Sequence, residues 1–159
     1  MKNLFYYETP IGKIGIAEKN NKITNLFFKN NSTPYRFNME ETPILIEANN
    51  QLQEYFLGKR KSFNLPLNPD GTEFMKNVWS SLCDIPYGET RSYKEIAQIL
   101  NKDKAYRAVG LANNKNPIPI FIPCHRVLSS TGNLTGYLGG LEVKSYLLEL
   151  EKQYIYNLF

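Results

Sequence analysis

The sequence predicts an α+β fold: a small N-terminal antiparallel three-stranded sheet with one covering helix, then a mostly helical C-terminal unit. Three observations carry this. Short apolar runs alternate with turn formers up to residue 28, one stretch of helical periodicity ends near residue 57, and capped helical patterns follow residue 72.

Leu4–Glu8, Ile11–Ala17 and Ile23–Phe28 are apolar-rich and separated by Thr9-Pro10 and Asn20-Asn21, so they read as a meander of three strands and two turns. From Pro43 to Leu57 the residues Ile44, Leu45, Ala48, Leu52, Tyr55 and Phe56 recur at helical spacing. Thr42 is placed to cap this helix and Gly58 to stop it. The stretch Leu65-Pro66-Leu67-Asn68-Pro69-Asp70-Gly71 is dense in turn formers and reads as a linker, dividing a unit of residues 1–68 from one of residues 69–159.

In the second unit Thr72 caps a helix through Leu82, with Phe74, Val78, Trp79 and Leu82 on one stripe and Pro86 and Gly88 breaking the chain afterwards. Cys83, at the end of this helix, reads as a small buried hydrophobe. Ser92-Tyr93-Lys94-Glu95 has the form of a capping box, so a short helix starts at Tyr93 with Ile96, Ala97, Ile99 and Leu100 on its apolar face. After Asn101-Lys102-Asp103 a second short helix fits Lys104–Ala112, with Asp103 as its cap. Two short helices joined by a tight polar turn have the form of a helix-turn-helix.

The net charge of +4 is concentrated in one region. Between Glu89 and Arg126, the basic residues Arg91, Lys94, Lys102, Lys104, Arg107, Lys115 and Arg126 stand against only Glu89, Glu95 and Asp103, and this segment holds the whole excess. Such a face suits a phosphate backbone without supplying sequence specificity; the alternative is an ordinary solvated surface. No apolar run reaches the roughly 18 residues of a membrane span, and Met1–Glu8 lacks the apolar stretch of a signal peptide. The expectation is a cytoplasmic protein with no membrane association. The two cysteines read as free thiols, and one histidine without any Cys-x-x-Cys disfavours a zinc site.

Chemistry is to be sought at Ile122-Pro123-Cys124-His125-Arg126-Val127, where the only histidine follows a cysteine. An unperturbed cysteine is only about 3% thiolate at pH 7, so nucleophilicity requires a base or a positive neighbourhood. Neighbouring side chains on an extended strand point to opposite faces, so this pair cooperates only where the chain bends or a water bridges it. Pro123 is compatible with a turn or helix entry at that point. An orienting carboxylate must come from elsewhere, with Glu142, Glu149 and Glu151 available on a downstream helix.

The ordered set of motifs resembles the O6-alkylguanine-DNA alkyltransferases, or methylated-DNA–protein-cysteine methyltransferases, over essentially the full length. It comprises Leu65-Pro66-Leu67, Gly71-Thr72, Phe74, Val78-Trp79, Ile85-Pro86-Tyr87-Gly88-Glu89-Thr90 and Ser92-Tyr93. It continues with Arg107-Ala108-Val109-Gly110, Asn116-Pro117, Pro123-Cys124-His125-Arg126-Val127, Tyr137, Gly139-Gly140-Leu141, Lys144, Leu147-Leu148 and Glu151.

The resemblance implies a ribonuclease H-like N-terminal unit and a winged-helix-like C-terminal unit carrying the helix-turn-helix and the reactive cysteine. It implies that Cys124 accepts the alkyl group, activated through a water by His125, which Glu151 orients, while Asn116 holds the adjoining turn. Tyr93 would hydrogen-bond the guanine as O6 becomes the leaving group. Arg107 would enter the duplex and fill the space of the flipped-out base. Lys94, Lys102, Lys104, Tyr106 and Ser130 join Arg107 and Tyr93 as DNA contacts. Val127, Tyr137 and Leu138 join Tyr93 around the pocket, with the backbone at Cys124 and Val127 reading the guanine amino edge and the N–H of residue 138 meeting O6.

The implied reaction is a single irreversible transfer from O6-alkylguanine, with O4-alkylthymine a further candidate substrate. It needs no metal or organic cofactor. The implied partner is double-stranded DNA bound in the minor groove by a monomer, with no obligate protein partner.

Two positions depart from the family pattern. Leu138 stands where serine or alanine is usual, which bears on the size of alkyl group accepted. Tyr106 stands where a small residue is common; it either obstructs the groove or stacks on sugar and phosphate. Two other readings remain open: a damage-binding module without transfer, and a Cys-His thiol transferase acting on another electrophile.

Overall fold

In the computed structural model, residues 1–29, 31 and 36–157 are described. Strands β1 (Lys2–Thr9), β2 (Gly12–Lys19) and β3 (Lys22–Phe28) form the expected antiparallel meander. The β2–β3 turn is made by Asn20 and Asn21 with φ of 54° and 62°, left-handed values that asparagine tolerates and that a two-residue hairpin requires. A short strand β4 (Phe37–Met39), absent from the sequence reading, adds parallel to the free edge of β1, giving the order β3-β2-β1-β4.

Helix α1 (Pro43–Phe56) packs on this sheet through Leu45, Ala48, Leu52, Tyr55 and Phe56. Thr42 occupies its N-cap position, but its hydroxyl makes no capping bond; Pro43 in the first turn supplies the helical φ instead and has no N–H to satisfy. Gly58, at φ +72°, ends the helix as expected.

The turn-rich linker runs along the outer edge of β3. The Ile23 N–H donates to the Pro66 carbonyl at 2.9 Å, and the Asn68 N–H donates to the Ile23 carbonyl at 2.8 Å. The Leu26 N–H on the same edge donates to the Pro117 carbonyl at 2.9 Å. The sheet edge is thus paired by chain from the second unit as well as by the linker. One apolar cluster runs from Ile14 and Leu26 through Trp79 and Val109 to Leu147.

Helix α2 (Glu73–Cys83) starts with the Thr72 hydroxyl accepting from the Met75 N–H. Its terminal residue departs from expectation: Cys83, at the last position of the helix, is exposed although it lies one turn after Trp79. Helix α3 (Tyr93–Ile99) carries the complete Ser92–Glu95 capping box. The next element also differs from the sequence reading. Asp103–Ala105 is a 3-10 turn, and α4 spans Tyr106–Asn114, so Asp103 does not cap an α-helix starting at Lys104.

Strands β5 (Arg91–Ser92) and β6 (Val127–Leu128), both too short to show a period, pair in parallel and dock the start of α3 beside the Cys124 segment. Helix α5 (Leu141–Tyr154) closes the second unit.

Trp79 ties α2 to α4. It is 1% exposed, and its indole N–H donates to the Ala112 carbonyl at 2.9 Å. Substituting Trp79→Phe removes that buried hydrogen bond and part of the ring volume. It is expected to lower the unfolding free energy by about 1–3 kcal/mol, measured by urea denaturation. A change below a few tenths of a kcal/mol would remove Trp79 as the tie between these helices.

Candidate active site

Cys124 and His125 do not lie on a strand. Residues Cys124–Arg126 form a 3-10 turn entered from Pro123, the bend that the adjacent pair requires. The approach to it is unusual: Ile120, a buried β-branched residue, has φ of +73°, a conformation costing about 1–3 kcal/mol. Asn116 holds that segment from both sides. Its Nδ2 donates to the Ile122 carbonyl at 2.8 Å and its Oδ1 accepts the Ile118 N–H at 2.9 Å. The role expected of Asn116 at this turn therefore has a geometric basis.

Of the three downstream carboxylates, Glu151 is the one in contact; Glu142 and Glu149 lie exposed on the outer face of α5. Glu151 accepts five hydrogen bonds. Its Oε2 accepts from His125 Nε2 at 2.6 Å, Tyr55 Oη at 2.6 Å and Arg126 Nη2 at 3.0 Å. Its Oε1 accepts from Arg126 Nε at 2.8 Å and the Gly88 N–H at 3.0 Å. Arg126 is fixed further by its Nη1 donating to the Ile85 carbonyl at 2.7 Å. Burial alone would raise the Glu151 carboxyl, but the hydrogen bonds and charge of His125 and Arg126 outweigh it and hold the group well below the usual carboxylate range.

His125 is wholly buried, and burial lowers its pKa against the opposing pull of Glu151. With an ionised carboxylate as its partner, Nε2 carries the hydrogen, an assignment made from the bonding pattern. Nδ1 is then the lone-pair nitrogen, and it has no hydrogen-bond partner among the described residues. Cys124 is 4% exposed. Burial pushes its thiol up, to about 11, partly offset by the Asn116 side chain and the charge of Lys144.

Lys144, to which the sequence reading gave no role, is fully buried on α5. Its Nζ donates at 2.8 Å to the carbonyls of both Val127 and Thr135, bracing the two segments on either side of the loop 129–134. Burial pushes its pKa down to about 8. In the sequence Tyr55 is a core aromatic of a helix, and Arg126 is, with His125, a candidate for the positive neighbourhood of Cys124; neither pattern points to Glu151. Each meets Glu151 across 96 and 25 residues of chain, and no local pattern reports such a contact.

The residues expected around a substrate pocket lie on α3, on the segment after the turn and on the chain that leads to α5. Tyr93 opens α3; its ring lies against Gly110 of α4, and its hydroxyl is 2.7 Å from Thr135 Oγ1. Val127 is buried directly after the turn. Tyr137 has a buried hydroxyl without a partner among the described residues, and its ring packs on Phe28 at 5.6 Å. Leu138 is 50% exposed, and its carbonyl accepts from Asn31 Nδ2 at 3.2 Å.

The expected DNA contacts are exposed: Lys94, Lys102, Lys104, Tyr106 and Arg107 on or beside the helix pair, and Ser130 on the loop after β6. Lys94 Nζ and the Arg107 guanidinium both lie against the Tyr106 ring, at 5.5 and 5.9 Å from its centroid.

Residues 5–69 match the ribonuclease-like domain of 6-O-methylguanine DNA methyltransferase, and residues 73–153 match its DNA binding domain. The methylated-DNA–protein-cysteine methyltransferase of Methanosarcina barkeri is 52% identical, covering 91% of this chain and 94% of its own. The constitutive enzyme of that name from Bacillus subtilis is 49% identical, over 91% and 92% of the two chains. Among solved structures, the O6-methylguanine methyltransferase of Mycobacterium tuberculosis superposes with a TM-score of 0.90 at 43% identity, covering 97% of this chain and 94% of that one. The same organism's protein solved in complex with DNA also gives 0.90, at 42% identity over 96% and 94%.

Glu151→Gln leaves the Arg126 charge buried without a counter-ion and is expected to destabilise the fold by about 3 kcal/mol or more at pH 7. The folded carboxyl lies below its unfolded value of about 4.3. Its contribution is therefore complete above that value and is lost as the pH falls toward the folded one. Denaturant midpoints at pH 7 and pH 3 should show the wild-type advantage narrowing at pH 3; an equal advantage at both would reject a depressed Glu151.

Proposed function

The chain belongs to the 6-O-methylguanine DNA methyltransferase family, and from that premise we infer how its own residues carry out the transfer. The activity is methyl transfer from DNA to a cysteine of the protein, a direct reversal of the damage. Cys124 is the acceptor, within a C-terminal unit of residues 69–159 that also holds the DNA. The observation that carries this reading is the Cys124–Arg126 turn, in which His125 is fixed to Glu151 through Nε2 and keeps Nδ1 for a second partner.

A water between Nδ1 and Sγ passes the thiol proton to the imidazole, and Glu151 stabilises the imidazolium that forms. The Cys124 sulfur attacks the alkyl carbon in line; the S–C bond forms as the C–O6 bond breaks, and the electron pair passes to the guanine. The Leu138 N–H meets O6. Either hydroxyl of the Tyr93–Thr135 pair can donate; when Thr135 does, the phenolic hydrogen is left to bond the guanine, which takes up one proton, balancing the one the thiol gives to His125, and remains in the DNA as the normal base. The Val127 carbonyl, bonded to Lys144 through one lone pair, keeps the other for the guanine amino group. A thioether offers no ready return path, so each chain acts once.

Reaching a guanine from outside the duplex requires extruding it, and Arg107 is the residue to fill the gap. Tyr106, the position at which the sequence left two readings, holds Arg107 and Lys94 on its ring faces, which supports a platform that presents both cations rather than an obstruction. Lys94, Lys102, Lys104 and Ser130 supply phosphate contacts, in keeping with a lesion that occurs in any sequence. Leu138, half-exposed and next to Tyr137 in the chain, is the position that bears on the size of alkyl group accepted. Among the described residues no helix is long and apolar enough to cross a membrane. The protein is read as a cytoplasmic monomer acting on double-stranded DNA that contains O6-alkylguanine.

Two experiments test this. Duplex DNA carrying O6-[methyl-³H]guanine should transfer its label to Cys124, up to one methyl per chain, and Cys124→Ala should bind the DNA but leave the label on it. Repeated turnovers would overturn the reading. Arg107→Ala should slow repair in duplex by roughly tenfold or more, because the extruded base then leaves a few kcal/mol of unstacking uncompensated. Reaction with the free base should change little, and equal slowing of both would remove Arg107 from base extrusion.

A further inference from the structure

We propose that Tyr55, on α1 of the N-terminal unit, is a positioning residue of the transfer site: its phenol competes with His125 for one oxygen of Glu151 and thereby limits the basicity of the imidazole. The proposal rests on the reading of His125 as the base for Cys124.

Tyr55 Oη and His125 Nε2 each lie 2.6 Å from Glu151 Oε2, and Arg126 Nη2 lies 3.0 Å from it. A carboxylate oxygen offers about two lone-pair directions, so three donors share a limited charge. The charge drawn by a phenol at this distance is withheld from the imidazole. Tyr55 cannot turn away. It is fully buried, and its ring is held by Phe56, Phe63 and Tyr87 at centroid distances of 5.6, 5.4 and 6.2 Å. Phenylalanine would serve that ring packing alone, and a buried hydroxyl is retained without penalty only where it finds a partner. The partner is the carboxylate that orients the base.

The other groups facing this centre are accounted for. Arg126 and His125 come from the 3-10 turn, Tyr87 and the Gly88 N–H from the segment before β5, and Tyr137 and Cys124 from the pocket. Lys144, also charge-coupled to His125, comes from α5. Burial and the Glu151 charge raise the Tyr55 phenol well above its ordinary value, so it remains a neutral donor. Burial lowers the Lys144 ammonium, to about 8, and its charge opposes protonation of the imidazole.

Because the chain has one histidine, a single imidazole signal in ¹H–¹⁵N NMR reports this equilibrium directly. In Tyr55→Phe the carboxylate gives its freed charge to the imidazolium. The His125 titration should move up by about half to one pH unit, and the acid limb of the transfer rate should move with it. A purely structural Tyr55 would lower the melting temperature and leave both midpoints in place; unchanged or lowered midpoints overturn the proposal.

Should the variant not fold, the protein with 3-fluorotyrosine, a more acidic and stronger donor, incorporated at position 55 alone should move the imidazole midpoint down. No movement there also overturns the proposal. Label left on the DNA by the wild-type protein would reject the transfer reading instead, while the imidazole titration continues to judge Tyr55.

Discussion

Glu151 keeps its negative charge in the buried interior because Arg126 grips both of its oxygens, and the rest of the site is built outward from that ion pair. Desolvating two such charges consumes much of what their attraction returns, so the pair is weak evidence for stability. Its stronger consequence is geometric. A carboxylate held by Arg126, the Gly88 N–H and Tyr55 has one orientation, and His125 must present Nε2 to it. That fixes the tautomer and turns the other ring nitrogen toward a second partner. The guanidinium and the imidazole come from adjacent residues, so the bend at Cys124 that brings His125 inward also delivers the counter-charge Glu151 needs.

The N-terminal sheet takes part in the site as well as covering it. Tyr55 reaches Glu151 from α1, Phe28 and Asn31 meet the loop bearing Tyr137 and Leu138, and the β3 edge is paired by residues 66–68 and by Pro117 just after Asn116. Helix α1 therefore has two duties along one stripe. Leu45, Ala48 and Leu52 fill the core, and a turn further on Tyr55 carries a polar tip into the charged centre. An aromatic residue suits this, because its ring counts as core while its hydroxyl remains available to a buried acceptor.

Sequence legibility followed the range of the interactions involved. The hairpin turn at Asn20-Asn21, the Thr72 cap and the Ser92–Glu95 box are chemistry within four residues, and they read correctly. Strands β4, β5 and β6 are two or three residues long, stabilised by neighbours distant in sequence, and leave no period to detect. Asp103 misled because the chain tightens into a 3-10 turn before α4, which delays the helix to Tyr106. Cys83 misled because burial was inferred from residue type, whereas its position on α2 decides its exposure. Cys124 and His125 stand out in the sequence as an adjacent pair holding the only histidine, and Glu151 as one of three downstream carboxylates; the resemblance adds Asn116 and the choice of Glu151. Lys144, Arg126 and Tyr55 acquire their roles only through contacts that folding creates.

The burial of Cys124 poses a problem that its surroundings answer. A thiol with a pKa near 11 is a poor nucleophile as it stands, because the Asn116 side chain and the Lys144 charge offset only part of the effect of burial. Lys144 lends positive charge from a distance while spending its own hydrogens on the Val127 and Thr135 carbonyls, so it supports the walls of the pocket without forming a stable ion pair with the sulfur. Asn116 likewise divides its amide between the Ile118 and Ile122 backbone, holding the strained Ile120 turn that leads to Cys124. In the proposed transfer, the proton of this thiol has to pass to His125 before or during attack, because burial disfavours a standing thiolate. At 4% exposure the sulfur is shielded and mostly protonated, while Glu151 holds His125 through Nε2 and leaves Nδ1 without a partner among the described residues, which is the arrangement an acceptor used once would need.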